Sequence, residues 1–258
     1  MREFSFEDII KTHIQIEQAK WYTALPCIVT NVVGELASQR VDVQPSINVF
    51  YKDGTDEEHT QILGVPVIFP GSSTSLISWP INVGDTVFCV FSSRSMDNFK
   101  AGNGQPTVPT DYRKMAVQDA VAIPGLVPFG KSLNNPGVRH FPHSTHDLVV
   151  SHNVGTATEV EIRFKENGDL IINTDMNIIT NSRTATVNVT EKITLHGPAM
   201  DVNVPQTNWT GNITLTGNLI QSGNYTMTGV ATFNGIVFNT HKHLGVTPGN
   251  GTSGIPTA

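Results

Sequence analysis

Charge is scarce in this chain. Asp, Glu, Lys and Arg make up 15% of its 258 residues and the net charge is −6. No stripe of Lys and Arg is present that could release counterions from a phosphate backbone, which excludes nucleic acid as a partner. Cysteine is limited to Cys27 and Cys89, each in an apolar, strand-like setting. Two buried free thiols are expected there, with a disulfide as the minor alternative. Hydrophobic residues reach only 38%, low for a compact globule, and no apolar window approaches the roughly 18 residues that cross a bilayer. The first eight residues, Met1 to Asp8, lack a basic region followed by an apolar run. No signal peptide is therefore expected, and synthesis is placed in a cytoplasm.

The scarcity is greatest near the end. From Val202 to His241 the only titratable side chains are Tyr225 and His241, and 21 of these forty residues are Thr, Asn, Gly or Ser. Such a stretch is either disordered or a β structure whose partners lie outside the chain. Several Asn-x-Thr triplets (Asn188, Asn208, Asn212, Asn224) fall in or near it and read as turn and ladder residues rather than glycosylation sites.

What is present is mostly period two. Residues 5 to 20 are the exception, a short amphipathic helix with Ser5 as cap, Asp8 three residues on, and Phe6, Ile9, Ile10, His13 and Ile16 on one face. It is expected to pack on the first domain or on a neighbouring subunit. From Ala24 to Phe91 four runs alternate: Cys27 to Val33, Arg40 to Val49, Ile62 to Phe69 and Val83 to Phe91, with turns at Asp53-Gly54 and Pro70-Gly71. Their number and spacing predict a small antiparallel barrel of the OB type. Asp56-Glu57-Glu58-His59 pairs carboxylates with a histidine but follows a turn signal, so it is read as a solvated loop rather than an acid–base site.

Two stretches then resemble a known family. Trp79-Pro80-Ile81-Asn82-Val83-Gly84-Asp85-Thr86-Val87 followed by Arg94-Ser95-Met96-Asp97 resembles the N-terminal OB domain of the membrane-piercing baseplate spikes of contractile-tailed bacteriophages. The apolar strand and turn Asp119 to Pro128 looks like the segment that follows the barrel in those proteins.

His140, His143 and His146 are spaced by three. An extended chain points such residues to opposite faces and Pro142 opposes a helix, so they are read as surface or interface histidines rather than a metal cluster. Strands are expected at 147–151 and 160–165, and Glu166-Asn167-Gly168-Asp169 turns into a third at 170–173.

After about residue 174 short apolar rows alternate with Thr and Asn, with resets at Gly197-Pro198 and Pro205. Ordering each residue costs roughly 1–2 kcal/mol of backbone entropy, which one narrow row cannot repay alone. Three copies wound about an axis would bury the rows together and leave no long open edge. An intertwined homotrimeric β-helix is therefore predicted.

His241 and His243 stand at i and i+2, on one side of an extended chain. Three copies would bring six ring nitrogens to the axis, a number that favours an octahedral ion such as Fe(II) over tetrahedral zinc. Thr240-His241-Lys242-His243 with Gly245-Val246, Pro248-Gly249 and Ser253-Gly254-Ile255-Pro256 after it closely resembles the iron-bearing tip of phage central spikes.

The expected fold class is all-β: an N-terminal OB-fold barrel, then an intertwined homotrimeric β-helix ending in a metal-clamped tip. Its parts are an N-terminal helix (1–20), the OB domain (21–98), a connector (99–146), the shaft (147–235) and the tip (236–258). The resemblance implies a structural spike at the distal tip of the tail baseplate in the virion, made in the host cytoplasm, seated on hub or tail-tube proteins and driven against the host outer membrane. The iron would be held by His241 and His243, with any further axial ions unspecified. No catalytic residue is expected: after His243 the chain has no Glu, Asp or His to complete a cupin-type iron site, and no hydrolase constellation is present. The alternatives are a receptor- or glycan-binding tail fibre and the spike of a phage-related injection system.

Overall fold

Ser5 and Asp8 exchange bonds at the start of the first element, as the sequence predicts. The Ser5 hydroxyl accepts from Asp8 N and the Asp8 carboxylate accepts from Ser5 N, each at 3.2 Å, opening α1 (Phe6–Gln18). The computed structural model describes residues 5–240, Lys242, Gly245 and Gly249. It divides into two units, Met1–Arg183 and Thr184–Ala258. Helix α1 buries none of its residues. Packing on the barrel is therefore not made, and Phe6, Ile9, Ile10 and Ile16 remain exposed.

The strands of the barrel are β1 (Ala24–Val33), β2 (Arg40–Pro45), β5 (Ile62–Pro66), β6 (Thr86–Phe91) and β7 (Ala120–Pro124), in the order β5-β2-β1-β6-β7. Every neighbouring pair is antiparallel. A small hairpin, β3 (Val49–Phe50) with β4 (Asp56–Glu57), stands apart from this sheet. Register shifts between Val29 and Asn31, and between Val41 and Val43, add the local twist that bulges supply. The sheet curls into a half-barrel until its edges touch: Val67 bridges Ala122 in parallel, and Ile68 N donates to Ala122 O at 2.9 Å.

Alternation decides what fills the curl. Cys27 and Val29, Val41 and Val43, Val87, Cys89 and Phe91, and Ala120 and Ala122 all point inward and are buried. Cys27 and Cys89 are both free thiols in this core, as expected. The acidic loop is solvated: Asp56, Glu57 and Glu58 are exposed, while His59 turns aside to meet the Tyr22 ring edge-on at 5.5 Å.

A second sheet of the same unit joins β8 (Leu148–His152), β9 (Val160–Phe164) and β10 (Leu170–Thr174) in the order β10-β9-β8. The β9–β10 turn runs through Gly168 at φ 91, where the sequence predicts a hairpin.

In the second unit the described residues pair only at β11 (Thr232–Phe233) with β12 (Ile236–Val237). Between 184 and 231 the chain makes no strand pairs, and its large apolar residues, from Val187 to Val230, are exposed.

Candidate functional site

The hairpin β11–β12 delivers the chain to its last described continuous residue. Asn234 and Gly235 both take positive φ, 49° and 79°, the signature of the tight turns that join two strands. Phe238 N donates to Ala231 O at 2.7 Å and Thr240 N to Val237 O at 3.3 Å. Asn239 ties the two arms: its side chain donates to Gly229 O and accepts from Ala231 N, both at 3.3 Å. Phe233 and Phe238 meet edge to face at 6.1 Å. The backbone is therefore held as far as Thr240, the residue before His241. His241 and His243 themselves lie outside the described residues, and Lys242 between them is exposed.

A regularity in this segment escapes a period-two reading. Gly211, Gly217, Gly223, Gly229 and Gly235 recur every six residues, and all take positive φ, from 79° to 129°. Asn212, Asn218 and Asn224 follow three of them, and Thr at 210, 216 and 228 precedes three. The repeat was visible as Asn-apolar-Thr-apolar-Thr-Gly, a six-residue rung with a glycine corner. Counting on by six places His241 at the glycine position and His243 at the position of Ile213, Leu219 and Tyr225.

The three histidines spaced by three, His140, His143 and His146, do not converge. His140 Nε2 bonds Asp175 Oδ2 at 2.6 Å; His146 is exposed, 3.7 Å from Glu166. His143 is buried within the chain, so of the two expected settings, surface or interface, it does not take the surface one. Its Nδ1 donates to Ser144 O at 2.7 Å, and its Nε2 has no partner among the described residues. The cause is a strap, residues 139–143, laid over one face of the second sheet. Arg163 Nη2 holds the strap by Phe141 O and Pro142 O. Among the described residues no group of three His, Cys, Asp or Glu is arranged to hold a metal ion.

Beneath the strap lie two buried glutamates. Glu161 pairs with Arg163 and accepts from Asn173 Nδ2 at 2.8 Å. Glu159 accepts from His140 N at 2.9 Å and Gly155 N at 2.6 Å. Burial alone would raise the Glu159 carboxyl, but these two N–H groups and the nearby Arg139 charge hold it below the usual range. Here the sheet hides its charged face and leaves its apolar face open.

At the barrel, the sequence drew attention to Arg94 and Asp97, yet Arg94 bonds only its own neighbourhood, Ser92 and Ser93. Asp97 pairs instead with Arg113 at 2.8 Å, which also binds Asp111 and the fully buried Asp119. Sequence reading missed this clamp. Its signal was a cluster of charges in an otherwise Gly- and Pro-rich connector.

Residues 25–125 match the family described as phage protein Gp138 N-terminal domain, and residues 235–257 match the GpV apex motif. No curated protein matches the chain. The first match spans the curled sheet from β1 through β7, and the second begins at Gly235 in the β11–β12 turn. With a baseplate-spike family matched at each end, the chain is a phage spike protein.

Proposed function

We propose that this protein is the central spike of a contractile tail: three copies assemble, seat through the barrel on the baseplate hub or tail tube, and are driven tip first against the host outer membrane. The observation that carries the reading is the unpaired ladder. Apolar side chains at Val187, Val189, Ile193, Leu195, Ile213, Leu215 and Leu219 are 49–72% exposed on a chain whose two ends match spike families. Rows of that kind need partner chains to bury them. The strand order of the first sheet, with its β5 and β7 edges meeting in parallel, supports an OB-type barrel as the seat.

A metal at the tip fits the donors present. One chain offers two imidazoles at i and i+2 after a hairpin that fixes the backbone to Thr240, and that leaves most of a coordination shell empty. Three chains offer six nitrogens, the number for an octahedral Fe(II). The ion would tie three chain ends together so that they do not fray under load, and the protein turns over no substrate. The test is metal analysis with sedimentation on the purified chain. About one iron per elongated trimer is expected; a metal-free monomer overturns the reading.

A further inference from the structure

Three strands of the second sheet place six large apolar residues in a grid. The registers Leu148↔Phe164↔Leu170 and Val150↔Ile162↔Ile172 align them on one face, and all are 41–66% exposed. The opposite face carries Glu161 and Arg163 and is covered by the strap. No charged side chain lies among the six. At roughly 100 Å² each they leave about 600 Å² of apolar surface, the top of the range that a monomer carries uncovered. Each partner in a standard interface contributes about 800 Å². Met176 and Ile178 continue the even-numbered row and are also exposed. Beside the grid a cleft of about 540 Å³ sets Ile77 and Trp79 against Val150 and Ile162, with His152 and Glu161 also in its wall.

We propose that this grid is where copies of the chain first meet, and that it sets the register of the trimer. The proposal rests on the threefold reading above and adds a division of labour within it. The terminal ladder repeats every six residues, with glycines at 211, 217, 223, 229 and 235. Sliding one copy by six places brings similar residues opposite each other, so the ladder specifies register weakly. The grid does not repeat: Leu-Phe-Leu stands beside Val-Ile-Ile, fixed by the turns on either side of β9. The occupant it fits is the same face of a second and third copy. A threefold axis can bring the same patch of each copy to the axis, and an uncharged apolar grid meets its own copies there without burying an unpaired charge.

The test uses the full-length chain refolded from denaturant, with assembly followed by sedimentation and light scattering. Ile162→Ala is expected to slow assembly about tenfold and leave the rate of unfolding nearly unchanged, as for a contact formed in the nucleus. Ile193→Ala, in the ladder, is expected to do the reverse. Ile162→Cys, oxidised in the assembled protein, is expected to give covalent dimers on a denaturing gel, since Cys27 and Cys89 are buried. If Ile162→Ala assembles at the wild-type rate, or if Ile162→Cys stays reactive to solvent and forms no dimer, the grid is not the meeting surface, while a trimeric spike still stands. A wild-type chain that sediments as a monomer overturns both.

Discussion

Arg113 reaches the carboxylate of Asp119 with two nitrogens, Nε at 2.7 Å and Nη2 at 2.8 Å. Asp119 has no exposed surface and takes a third bond from Met96 N at 2.8 Å. Because Arg113 also binds Asp97 and Asp111, one guanidinium fastens three points of the segment between β6 and β7. Strand β7 is thereby delivered to the sheet, where Ala120 and Ala122 complete the core.

Removing Arg113 strands a buried carboxylate. Arg113→Met is expected to destabilise the protein by about 3–5 kcal/mol, the range for breaking a buried pair from one side. Denaturant unfolding at fixed protein concentration measures it. A change below about 1 kcal/mol would place the pair among surface ion pairs.

Acid should act through the same group. Burial pushes the Asp119 carboxyl up, but Arg113 and the Met96 N–H outweigh it and hold it below the ordinary value. Its folded pKa is thus lower than its unfolded one. The stabilisation is complete above the unfolded value, about 3.9, and is lost as pH falls through the folded one. Glu159 has the same sign. Thermal melts from pH 7 to pH 3 should fall steeply at the acid end for the wild type and less steeply for Asp119→Asn. Parallel curves would exclude Asp119 as a source.

The glycine corners make a conformational prediction. Gly223 sits at φ 113, and among the described residues of one chain a Cβ there would meet nothing within 4 Å, so the cost of Gly223→Ala within the chain is backbone strain. About 1–3 kcal/mol per chain is expected. Gly130→Ala, at a position with equal space and no positive φ, should be neutral or slightly stabilising. Resistance of the assembled protein to denaturant compares the two.

At the tip, replacing both His241 and His243 with Ala should abolish bound iron and leave the trimer intact, because the apolar rows supply most of the buried area. Metal analysis and sedimentation read the two outcomes separately. A monomeric variant would mean that the metal holds the assembly.

Much of the first unit was legible because short-range chemistry specifies it. Ser5 and Asp8 cap α1, alternation in 27–33, 40–49, 62–69 and 83–91 marks barrel strands whose observed spans are shorter in the last three, and Asn167-Gly168 turns β9 into β10. The Arg113 clamp and the strap over β8–β10 were not legible, since most of their partners lie far apart in the chain, up to the 35 residues between His140 and Asp175, and no periodicity marks them. The burial of His143 escaped for that reason: spacing gives the side of a strand but not what later covers it.

By itself the sequence determined a β-rich chain with a capped helix, an alternating barrel core, a charge-poor ladder and two histidines spaced by two, His241 and His243. Tertiary structure alone decided that the first sheet curls until Val67 meets Ala122, and that Asp119, Glu159 and Glu161 are buried with cationic or N–H partners. It also decided that the second sheet turns its apolar face outward. Hydrophobic alternation distinguishes two faces of a strand but does not say which face the rest of the chain will cover. The strap, held by Arg163, covers the charged one.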